Sequence, residues 1–216
     1  MSVATWSFYS KAPANFLGGE APGDTFAIDF LSDTIKALLT TSAHTVNLDT
    51  HETLADITNE VAAGGGYSTG GTTLTTKTVT VTPADSWTVA RANTTAYAVG
   101  DIVRPATPNG FLYICVVAGT SAGAPPTFST TVGRETADGG VVWSTVGRAI
   151  MALDCDDPTW AAATITARNC HIYKSTGVAA TSPLICVGQF DVDAVSTGGT
   201  FVVIIPAFGF GVQIRQ

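Results

Sequence analysis

His44, His51 and His171 are the only histidines of the chain, and they bound the acid–base chemistry it could perform. The run DTH sets Asp49 near His51, close enough for a carboxylate to orient an imidazole, and serine and threonine are abundant as nucleophiles. Hydrolytic catalysis asks for more: a GxSxG elbow, an HExxH helix or a cysteine–histidine pair, none of which occurs. DTHETLADITNE reads more simply as a capped helical turn whose histidine packs on a neighbouring strand. The glycine-rich GGGYSTGG, residues 64–71, lacks the GK[ST] ending of a phosphate-binding loop, and its glycines read as residues permitting a tight connection. No catalytic residue is expected.

The acidic run Asp154, Asp156 and Asp157, with Asp191 or Asp193, offers carboxylates to a calcium ion. DCDDP lacks the alternation and the glycine of an EF-hand loop, and reads instead as a strand-end turn ahead of Pro158. Cys115, Cys155, Cys170 and Cys186 are far apart, with no CxxC pair, and read as buried thiols serving as small apolar side chains. A Cys155–Cys170 or Cys170–Cys186 bridge between neighbouring strands stays open. No metal and no cofactor are expected.

The elements that would position these residues are mostly strands. DTIKALLTTS alternates Ile35, Ala37 and Leu39 with Lys36, Leu38 and Thr40. TLTTKTVTVT, residues 73–82, alternates Thr and Val. AIMALDCDD, TITARNCHIYK, PLICVGQF and TFVVIIP are four further strands, separated by the turns DDPTWAA, STGVAATS and DVDAVSTGG. The only helical signal is in residues 49–62, one or two turns with Leu54, Ile57 and Val61 on one face. Short strands with turn chemistry between them indicate an all-β fold, an antiparallel β-sandwich or a barrel-like domain.

Composition narrows the setting. Hydrophobic residues make up 45% of 216 residues and charged ones 12%, at a net charge of −7. A freely diffusing domain carries roughly 25% or more charged residues on its surface; this chain suits a surface covered by neighbours. Ten scattered Lys and Arg argue against nucleic acid. No run approaches the ~20 apolar residues of a membrane helix, and the N-terminus shows no secretory signal.

Residues 1–24 read as an extended arm in which Gly, Pro, Ser and Ala separate Trp6, Phe8, Tyr9 and Phe16. An isolated arm cannot bury these rings against itself, so they are expected to dock on the parent domain, a sister copy or a capsid surface. Residues 25–86 and 149–216 form an outer β-domain. About sixty residues, 87–148, interrupt it with their own apolar set and turns, as a small β-module inserted in a hairpin loop. Within the module Tyr97, Tyr113, Thr120, Ser121 and Phe128 are the candidate ligand contacts, although a module this small needs its rings for a core.

The order Trp87, YAVGDIVRP, LYICVVAGTSAG, PPTF, ADGGVVWSTV resembles a small module of tail-fibre and other structural proteins of tailed bacteriophages, one compared with carbohydrate-binding modules of chitinases. The outer segments DTIKALLTTS, DTHETLADITNEVAAGGGYSTGGTTL, TVTVT and DCDDPTWAAATITARNCHIYKSTGVAATSPLICVGQFDV are similar to a small β-protein family of phage virion structural proteins. The likeness spans most of residues 33–205 and leaves out the arm. It implies a non-enzymatic virion protein, assembled in the host cytoplasm. The favoured expectation is a capsid decoration or cement protein that binds the major capsid protein or other virion proteins and associates with itself, as a trimer. The alternative is a tail or baseplate protein whose module binds host glycan.

Overall fold

The alternating stretches condense into strands in the computed structural model, which describes residues 4–18, 26–206 and 209–214. The strands are β1 (Ala4–Phe8), β2 (Ile35–Thr40), β3 (Thr72–Thr73), β4 (Thr78–Pro83), β5 (Ala96–Tyr97), β6 (Ile102–Val103), β7 (Leu112–Val117), β8 (Gly119–Thr120), β9 (Glu135–Asp138), β10 (Val141–Gly147), β11 (Ala149–Asp154), β12 (Thr159–Lys174), β13 (Leu184–Val202) and β14 (Phe210–Ile214). One short helix, α1 (Ala12–Phe16), follows β1. The fold is all-β.

The chain divides into two compact units, Met1–Val79 with Leu153–Phe210, and Thr80–Ala152 with Gly211–Gln216. The divisions fall inside β4 and β11, which are neighbours in a three-stranded sheet of order β14-β11-β4. The second unit therefore starts before residue 87 and ends after residue 148. Ala84 explains the earlier start, because it packs with Leu112 and Val146 in that unit's interior.

The first unit is a five-stranded sheet of order β1-β13-β12-β2-β3, antiparallel throughout. Burial along β12 shows how the sequence sets its place. Trp160, Ala163, Ile165 and Ala167 are buried and the residues between them exposed, so one face is covered. From Asn169 to Tyr173 every residue is buried, because β2 and β13 flank the strand here and both faces are packed. Residues 41–60 close one face: Val46, Leu48, Leu54 and Ile57 lie on Tyr9, Leu38, Tyr173, Leu184 and Val187.

Four local expectations are corrected. Residues 4–18 are not an extended arm: Ala4–Phe8 pairs with Phe190–Cys186 as an edge strand, and α1 follows it. Residues 1–3 and 19–24 of the expected arm lie outside the described residues. The one or two helical turns expected within 49–62 come to a single 3-10 turn, Leu54–Asp56. Its backbone is claimed from outside, since the Leu54 amide donates to the Ser182 carbonyl and the Leu184 amide to the Glu52 carbonyl. A nucleus this short cannot propagate against such competition. The Thr/Val strand over 73–82 breaks where Thr75 and Thr76 turn their hydroxyls to the Asp156 carboxylate, with Thr76 at φ 50°. Finally, DVDAVSTGG is no turn but runs within β13, bulged where it pairs with β12.

The second unit holds a four-stranded antiparallel sheet, β6-β7-β10-β9, and the two-stranded β5-β8. Its core is Val103, Phe111, Tyr113, Cys115, Val141 and Trp143, with Tyr97 and Phe128 packed against it.

Candidate interaction surface and a buried histidine cluster

In the first unit, β13 continues past Phe190, the partner of Ala4 at the start of the described part of β1. Between Ala194 and Val202 the described strands adjoin β13 only on its β12 side. The curled strand encloses a groove of about 680 Å³ bordered by Asp157, Phe190, Val195, Phe201 and Ile204. Val195 is 64% exposed, Ile204 55% and Val202 44%. Bare strand edges with exposed β-branched residues invite pairing with another chain. Arg168 Nε donates to Asp193 Oδ1 at 2.8 Å, and Asp193, Ser196 and Thr200 line the groove alongside its valines and phenylalanines.

The expected arm contacts are spent largely at home. Trp6 lies opposite Gly188 on β13, where a Cβ would fall within 2.9–3.0 Å of its ring; only glycine lets the indole lie there. Tyr9 is fully buried and so is closed to any partner. Phe8 and Phe16 are half-buried. The module's candidates fare similarly. Tyr113 is buried, with its ring 4.3 Å from that of Phe128, and its hydroxyl donates to the Ser129 carbonyl at 2.9 Å. Tyr97 stands edge-on to Trp143 at 4.9 Å. Ser121 is buried and donates to the Ala92 carbonyl, while Thr120 is exposed. These rings build a core rather than a coplanar platform for sugars.

The module's interior holds an ion pair that composition did not reveal. Arg91 and Asp138 are both buried, with Nη2–Oδ1 at 2.7 Å and Nε–Oδ2 at 2.9 Å. Trp143 Nε1 and the Ala122 amide also donate to Asp138. Burial pushes this carboxyl upward, yet the donated hydrogen bonds and the Arg91 charge outweigh burial and hold its pKa below the usual value. Arg91 Nη2 also donates to the Ala122 and Ala124 carbonyls, which ties down the loop holding Ser121.

Most unexpected is the convergence of all three histidines in the first unit. His44 stands edge-on to His171 at 5.0 Å and lies 5.4 Å from His51 between ring centroids. His171 is fully buried, with Tyr9 Oη at 2.7 Å from Nδ1 and Thr40 Oγ1 at 3.0 Å from Nε2. Burial first, then His44 and His51, bring its pKa down to about 3. Burial first, then His51, lower the pKa of His44. Asp49 accepts the Ser10 hydroxyl at 2.8 Å. The buried His171, gripped by two hydroxyls, has no open side for a substrate. A sequence signal for this cluster existed only in the rarity of histidine.

The acidic run is used locally: Asp154 Oδ1 accepts from the Cys155 amide and Asp157 Oδ1 from the Ile205 amide. Among the described residues no group of three or more His, Cys, Asp or Glu is arranged to hold a metal ion. All four cysteines are free and buried. Burial, reinforced by Asp154, Asp156 and Asp157, pushes Cys155 up to about 12, and burial drives Cys170 and Cys186 upward as well, so these thiols are poor nucleophiles. No helix of the described residues is long and apolar enough to cross a membrane. Neither a family model, nor a curated protein, nor a solved structure matches this chain.

Proposed function

We propose that this chain is a non-enzymatic structural protein of a tailed-phage particle, and within that class a decoration protein seated on the head shell. The observation that carries the reading is the groove along β13 with its exposed Val192, Val195, Val202 and Ile204, on a chain with only 12% charged residues. A strand edge of this kind gains backbone hydrogen bonds and buried apolar area when another chain is laid along it. Repetition over a lattice makes individually weak contacts collectively strong. The major capsid protein and sister copies are the partners, and self-association in a closed ring, a trimer, is part of the proposal.

The test is antibody labelling of this chain on purified virions by electron microscopy, with the double variant Val195→Lys, Val202→Lys alongside. Dense label over the head, lost in a variant whose melting is unchanged, is the expected result. Label confined to the tail, or absent from every particle, overturns the decoration reading.

A further inference from the structure

We propose that His44, His51 and His171 form an acid-sensitive latch that holds residues 41–60 against the sheet at neutral pH and releases them on acidification. The inference rests first on which ring atoms can take a proton. The Thr58 amide donates to His44 Nδ1 at 3.3 Å, and the Thr58 hydroxyl lies 3.2 Å from the same atom. Nδ1 is therefore an acceptor, and the single proton of the neutral ring is on Nε2. A second proton must go on Nδ1, where it meets the Thr58 N–H head on. Protonating His44 Nδ1 displaces the Thr58 amide and leaves only the Thr58 hydroxyl to accept.

His171 is bound by the same logic. One ring nitrogen accepts from a hydroxyl, Tyr9 on one side or Thr40 on the other. A protonated His171 needs both hydroxyls as acceptors, while Thr40 Oγ1 already accepts from Asn169 Nδ2 at 3.0 Å. His44 Nε2 and His51 Nδ1 are buried with no hydrogen-bond partner, so neither ring has a fixed counter-group ready for an added charge.

The groups facing the cluster do not neutralise it. Tyr9, from the segment after β1, is shifted upward by burial and stays uncharged. Asp56, in residues 41–60 themselves, is the acid with electrostatic reach to His51, and its Oδ2 already accepts from the Glu52 and Thr53 amides. His44 and His171, buried in ring contact with each other, favour their neutral forms in the closed arrangement.

The direction follows from linkage. A buried imidazole with a lowered pKa leaves the closed form fully stable above the ordinary histidine value of about 6.5. Below it the open form binds protons that the closed form refuses, and for His171 this continues down to about 3. Each such histidine favours opening by up to about tenfold per pH unit in that window. Residues 41–60 and Ser10 should loosen together, because the Ser10 amide donates to the Leu48 carbonyl and its hydroxyl to Asp49.

The experiment is hydrogen–deuterium exchange of the purified full chain from pH 7.5 to 5.0, corrected for intrinsic exchange, with the imidazole nitrogens followed by NMR on the same sample. Amides of residues 41–60 should lose at least tenfold in protection by pH 5, while those of the second unit hold. In His44→Asn, whose side-chain oxygen can still accept from Thr58, the loss should be markedly smaller. If the wild-type chain keeps its protection over 41–60, or if His44 titrates while that protection stays, the latch is refuted. An equal loss in His44→Asn refutes it too. Should that variant not fold, the wild-type NMR and exchange comparison decides alone.

Discussion

The Tyr9 hydroxyl and His171 Nδ1, 2.7 Å apart, join residues 162 positions distant in the chain. Tyr9→Phe removes one partner and leaves a buried ring nitrogen unsatisfied, which costs about 1–3 kcal/mol; urea unfolding followed by tryptophan fluorescence measures it. At Asp138 the stakes are higher. Asp138→Ala strands the buried Arg91 charge, and the expected loss is about 3–5 kcal/mol, confined to the second unit. The pH dependence has a definite sign. Because the folded pKa of Asp138 is lowered, its stabilisation is complete above the ordinary carboxylate value of about 3.9 and is lost as pH falls below it. An acid titration of wild type against Asp138→Asn reads the difference. Neither role was legible in the sequence: Tyr9 read as an aromatic of an arm and Asp138 carried no reading of its own, since partners so distant along the chain leave no local pattern.

At the level of elements, Gly71 makes the sharpest case. It sits at φ 68°, and a Cβ there would stand 1.8 Å from the Ala37 carbonyl oxygen on β2. Gly71→Ala therefore adds backbone overlap to an unfavourable φ, a destabilisation of about 3 kcal/mol or more, read as a lowered melting temperature. GGGYSTGG was legible as a tight connection. What it holds was not: Tyr67, buried in that loop, donates to Glu60 at 2.8 Å and accepts from the Leu39 amide at 3.1 Å. Strand propensity located β2, β11 and the buried half of β12 well, because these runs are rich in apolar and β-branched residues. It misplaced the end of each element that a tertiary hydrogen bond decides, as at Thr76 and Leu54.

For the whole molecule, the two units make separate folding claims. Joining Val79 to Leu153 through Asn-Gly, with the chain ended at Phe210, should leave the first unit cooperatively folded, because β4 and β11 are neighbours in one sheet. Circular dichroism melting checks this, and a shortened chain with no cooperative transition would show the units to be interdependent. In the second unit, a core of a few aromatic and aliphatic residues is marginal for its size, and the buried Arg91–Asp138 pair adds fixed geometry to it. The rings expected to meet a ligand had first to form that core.

By itself the sequence determined the all-β class, the low charge, the position of most strands and the separate apolar set of residues 87–148, because these depend on local alternation and composition. The tertiary structure alone decided that the N-terminal segment closes a sheet edge, that DVDAVSTGG continues a strand, that Arg91 meets Asp138, and that three scattered histidines share one interior. Each of these depends on contacts between residues far apart in the chain. Such contacts arise only once the sheet has brought the segments together, and no periodicity in the sequence encodes them.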